Sequence, residues 1–161
     1  MTRKQTQQYA FDAISSGFNC AETLVRTGSA CLGVLPSDLP SRVATGFGGG
    51  LARSKAELCG ALAGGTMVLG FAYGRDNAEA SSEAACAAAA VFRERFIALH
   101  GSSCCGKLLE TFGEQENWSA CKRLVAETAG LLHDVITEMA DEIDPPIFQA
   151  GSPSLGERQP V

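Results

Sequence analysis

The sequence is poor in aromatic residues, at 7% with one tryptophan. Its core must therefore close through small side chains, and alanine and glycine are abundant. Basic residues are scattered, with no run of five or more, and the net charge is −5. That balance speaks against nucleic acid, whose phosphates demand clustered Lys and Arg. No long apolar run is present either. The longest, residues 58–73, falls short of the roughly 20 residues a bilayer requires, so a buried helix and no membrane span are expected. The first residues, MTRKQTQQYAFDAISSG, lack the apolar segment of a secretory signal, which points to the cytoplasm.

Local signatures are missing as well. No C-x-x-C pair occurs, and no C-x-x-C-H, so zinc ribbons, thioredoxin-type sites and attached haem lack their usual marks. The stretch GFGGGLAR (46–53) hints at a phosphate loop, but Leu51 stands where a dinucleotide fingerprint needs its third glycine. No β-branched run precedes it, and Ser54 rather than glycine precedes Lys55. Nucleotide binding is not expected.

What is present is helical periodicity in a chain whose 161 residues suit one domain. Residues 4–16 read as a first helix, closed by Gly17. Asn19 and Glu22 have capping-box spacing, and Cys20, Leu24, Thr27 and Cys31 share the face that follows. A short helix restarts after Ser37, with Pro40 near its beginning, and residues 46–50 form a loop. A helix runs from near Ser54 to Tyr73, where Gly60, Gly64 and Gly65 admit a close neighbour. Asp76 or Asn77 caps an alanine-rich helix whose apolar face carries Ala85, Ala89, Phe92, Phe96 and Leu99. Ser102 or Ser103 caps a brief turn. Asn117 or Ser119 opens an amphipathic helix with Trp118, Cys121, Leu124, Val125, Leu132, Val135 and Met139 on one stripe. The expected fold is all-α: a compact single-domain bundle of about five or six helices over residues 1–141. An irregular tail, 142–161, holds four of the six prolines. No strand is expected.

Seven cysteines are many for such a chain, and the odd number without an export signal fits a disulfide framework poorly. Metal binding or thiol redox chemistry is the alternative to simple packing. Cys59 near a helix start, with Arg53 and Lys55 before it, is placed for a stabilised thiolate. Lys107 and Lys122 flank Cys105 and Cys121. Cys20 and Cys31 stand about 16 Å apart along a helix, so at most one belongs to any small centre. Cys86 borders a polar face and is incidental. His100 and His133 are isolated from one another, and a surface or core-edge role is expected for His133, beside the apolar stripe.

The ordered segments FNCAETL, GFGGGLAR, ELCGALAGGTMVLGFAYG, GSSCCGKLLE and CKRLV resemble the C-GCAxxG-C-C family of redox-active proteins over roughly residues 10–135. The resemblance assigns the family cysteines to Cys20, Cys59, Cys105 and Cys121. Cys104 is a substitute for Cys105, while Cys31 and Cys86 lie outside the pattern. The family is also similar to the iron–sulfur portion of split-Soret cytochromes, which are dimers. It thus implies an iron–sulfur cluster held by the four cysteines, an electron carrier or redox sensor, a homodimer and a redox partner protein. Haem is not implied. Two further readings stay open: a metal-free thiol–disulfide oxidoreductase or sensor using Cys59 or Cys105, and a structural zinc site in a helical interaction module.

Overall fold

Thr2 and Gln5 form a reciprocal capping box that starts helix α1 (Arg3–Ser15) in a computed structural model describing residues 1–142. Five more α-helices follow: α2 (Cys20–Leu32), α3 (Gly60–Tyr73), α4 (Glu83–His100), α5 (Cys105–Phe112) and α6 (Ser119–Glu142). Two 3-10 segments, Ser41–Phe47 and Glu116–Trp118, precede α3 and α6. Among the described residues there is no strand, only an isolated antiparallel bridge between Leu58 and Cys104. The all-α fold expected from periodicity is the observed one. Helix α6 is described to Glu142, and the rest of the expected proline-rich tail lies outside the described residues.

Helix α3 is buried along most of its length and packs against α2 and α4. Its glycines explain how. A Cβ at Gly64 would overlap the Ala21 backbone, and one at Gly65 would overlap the Phe92 ring. From the other side, a Cβ at Gly28 would overlap Val68. Helix α6 lies against α1, α2, α3 and α4, closing a core of Leu24, Val25, Val68, Leu69, Phe92, Phe96, Val125, Leu132 and Val135. Burying one such side chain contributes roughly 1.5–3 kcal/mol. In contrast, α5 makes few contacts with other helices. It is tethered by the Leu58–Cys104 bridge and by Cys105 N donating to Glu57 O at 2.9 Å.

Several boundaries differ from the sequence reading. No helix starts near Ser54, because Gly49, Gly50, Leu51, Ala52, Arg53 and Lys55 all have φ between +50° and +75°, and Leu58 is held in the bridge to Cys104. Helix α3 therefore begins at Gly60. Likewise, α4 begins at Glu83. The Asn77 side chain accepts from Ala80 N at 2.8 Å, and Arg75 donates to the carbonyls of Ala78 and Ala80. These contacts hold residues 75–80 in a turn. Leu99 and Trp118, both expected on apolar stripes, are 52% and 55% exposed. Trp118 precedes α6 with a left-handed backbone, φ +58°, so helical periodicity does not govern where it points.

Candidate functional site

The Asn19 side chain accepts from the Ala21 and Glu22 amides, and Glu22 accepts from Asn19 N at 2.9 Å. This is the capping box the spacing predicts, and it makes Cys20 the first residue of α2. Thr45 donates to Glu22 at 2.6 Å and accepts from Asn19 Nδ2 at 3.1 Å, which ties the segment before the glycine turn to the same cap. Gly48 has no room for a side chain, since its Cβ would stand 2.6 Å from Asn19 Cγ.

Cys59 is the N-cap of α3, and its amide donates to Ser103 O at 2.8 Å. Cys105 is the first residue of α5. Gly50 presses on it, with a Cβ there reaching within 2.7 Å of Cys105 Cβ. Cys121 is the third residue of α6. Its amide donates to Gln115 Oε1 at 3.0 Å, and Gln115 Nε2 donates to its sulfur at 3.6 Å.

All four thiols thus stand at the N-terminal ends of four different helices. All four line one cleft of about 430 Å³. Helix N-termini carry partial positive charge, and Arg53, Lys55 and Lys122 add full charges to the lining. No Asp or Glu lines it. The charged side chains of the lining are thus all cationic.

The thiols nevertheless resist ionisation. Burial pushes Cys59 up to about 12; Cys20 and Cys105 add to the rise, and the Ala61 and Leu62 amides oppose it. Burial pushes Cys105 up to about 11, with Cys20, Cys121 and Cys104 adding and Lys55 opposing. Cys121 is raised by burial, against its Gln115 hydrogen bond, and by Cys20. The thiolate expected at Cys59 from its helix end and basic neighbours is therefore not favoured, because desolvation of a 6% exposed residue outweighs them. Cys20 lies within electrostatic reach of the other three. Among the described residues, however, no group of three or more His, Cys, Asp or Glu is placed to hold a metal ion.

The remaining candidates lie elsewhere. Cys104 is outside the cleft lining, with its sulfur 3.4 Å from Ala56 O. Cys31 contacts Thr6 at the far end of α2, and Cys86 is exposed. His100 is half-buried, with its ring against Phe96 and near the Thr128 hydroxyl. His133 Nε2 meets Met1 O at 3.0 Å. His133, half-buried, takes the core-edge role expected of it. Sequence reasoning missed Gln115 and the apolar wall of Phe18, Leu108, Leu109 and Phe112. Phe18, Leu108 and Leu109 lie within the cysteine-bearing segments FNCAETL and GSSCCGKLLE, which could have flagged them, whereas Gln115 and Phe112 lie outside those segments.

Residues 18–135 match the family model described as "Putative redox-active protein (C_GCAxxG_C_C)". No curated protein matches the chain, and no solved structure does.

Proposed function

This chain belongs to the C_GCAxxG_C_C family, and from that premise we propose that its cleft binds an iron–sulfur cluster through Cys20, Cys59, Cys105 and Cys121, as an electron carrier or redox sensor. The observation that carries the reading is the convergence of these four cysteines, from the first turns of four helices, on one cleft lined by cations and no carboxylates. A cluster held by four thiolates supplies one-electron chemistry at a potential set by charge, hydrogen bonds and exposure. The chain would set that potential through Lys55, Arg53, Lys122 and the helix-terminal amides, and through Gln115 Nε2 at the Cys121 sulfur.

The long sequence spacings between Cys20, Cys59, Cys105 and Cys121 are unlike the compact ligand motifs of structural zinc sites. The elevated thiol pKa values of Cys59 and Cys105 also count against a metal-free nucleophile, which needs thiolate near neutral pH. A homodimer and a redox partner protein belong to the same proposal.

The test is anaerobic reconstitution with iron and sulfide, followed by metal and sulfide analysis and visible and EPR spectra. Stoichiometric iron and sulfide are expected. A colourless protein, or one that retains only zinc, would overturn the reading.

A further inference from the structure

Cysteine makes up only part of the cleft wall. Away from the sulfurs the wall is Phe18, Leu108, Leu109 and Phe112. A second recess of about 230 Å³ shares Lys55, Leu109 and Trp118 with the cleft, so the two hollows meet at that trio. Lys55 Nζ stands 5.8 Å from the Trp118 ring centroid. Among the described residues, none of Arg53, Lys55 and Lys122 forms an ion pair. In a chain of net charge −5, this is a concentrated positive lining with no carboxylate to neutralise it.

The backbone adds an independent observation. Arg53, Lys55, Asn117 and Trp118 all hold positive φ, from +50° to +61°. Left-handed backbone costs a non-glycine residue roughly 1–2 kcal/mol, and strain of this kind clusters at ligand clamps. Two opposed segments thus hold a cation and an exposed indole at one mouth. A cluster uses the sulfurs, some of the positive charge and the shelter of the apolar wall; the exposed Trp118 ring and the recess beside it are left without a part in holding it.

The geometry points to a binding site for a small aromatic carboxylate beside the cysteines, its ring against Trp118 and Leu109 and its carboxylate met by Lys55, Arg53 and Lys122. The cleft volume falls in the roughly 300–1,000 Å³ range of small-molecule sites. The cations and the apolar wall belong to the chain itself, so the site does not depend on a cluster.

The test titrates the full chain, both metal-free and after reconstitution, with 1-naphthoate and with uncharged 1-naphthamide. Calorimetry gives affinity, and the single tryptophan, Trp118, reports binding by fluorescence in the metal-free chain. Naphthoate is expected to bind both forms, to change Trp118 emission and to bind at least tenfold tighter than the amide. The double variant Lys55→Gln, Lys122→Gln is expected to weaken naphthoate at least tenfold, and Arg95→Gln, remote on α4, to leave it unchanged. Equal affinity of acid and amide, unchanged emission, indifference to the double variant, or loss of binding on reconstitution each overturns the proposal. Iron is measured in every sample. Naphthoate binding without iron uptake leaves this site standing and removes the cluster; iron uptake without binding does the reverse.

Discussion

Gly60 is packed against the sulfur of Cys20. A Cβ at position 60 would overlap that sulfur and stand 2.7 Å from the Phe47 carbonyl oxygen. The residue after Cys59 therefore fixes how closely α3 approaches the start of α2, and so how closely two of the four cysteines can stand.

Gly60→Ala is expected to destabilise the metal-free protein by about 1–3 kcal/mol, the usual range for overpacking, because the Phe47 carbonyl is backbone and yields little. It is also expected to lower iron uptake on reconstitution. Urea unfolding and iron analysis of the purified variant check both. A variant as stable and as well loaded as the parent would mean that the approach of α2 and α3 is not tight.

The Cys59 thiol links stability to pH. Its folded pKa, about 12, lies above the ordinary value of 9.0, so the folded state holds the proton more firmly than the unfolded chain. That contribution is complete below about pH 9 and is lost as pH rises towards 12, with a size on the order of a few kcal/mol. Reduced, metal-free protein compared with Cys59→Ala by urea unfolding from pH 8 to 11 is expected to show a stability difference that shrinks as pH rises. A difference that grows with pH would contradict the burial argument.

Cys104 and Cys105 are neighbours in sequence but stand differently to the cleft. Cys105 lines the cleft and Cys104 does not. Cys105→Ser is expected to abolish most cluster loading, and so are the same changes at Cys20, Cys59 and Cys121. Cys104→Ser, Cys31→Ser and Cys86→Ser are expected to retain it. Iron-to-protein ratios decide, and full loading of Cys105→Ser with loss in Cys104→Ser would exchange the two assignments.

The left-handed run offers a stabilising change. Ala52 has φ +50°, which glycine adopts without steric cost. Ala52→Gly is expected to raise stability by up to about 1 kcal/mol, the relief of strain less the entropy glycine gains when unfolded. A lower urea midpoint would show that the Ala52 side chain does more than occupy a strained position.

The capping box at Asn19 and Glu22, the close of α1 at Gly17 and the small-residue face of α3 were legible in the sequence, because each follows from contacts a few residues apart or from the size of one side chain. Helix starts at Gly60 and Glu83 were not. Left-handed residues such as Leu51 and Arg53 carry no compositional mark, and Leu58 is extended because Cys104, far along the chain, pairs with it.

The sequence alone determined an all-α chain with four cysteines in a recognisable order, since periodicity and motif order are properties of the polymer. Tertiary structure decided that those cysteines face one cleft. It also decided that Cys59 is too buried to ionise readily, and that Trp118 stands at the mouth beside Lys55 instead of in the core. Desolvation and the convergence of helix ends depend on which distant segments pack together, and no local spacing encodes that.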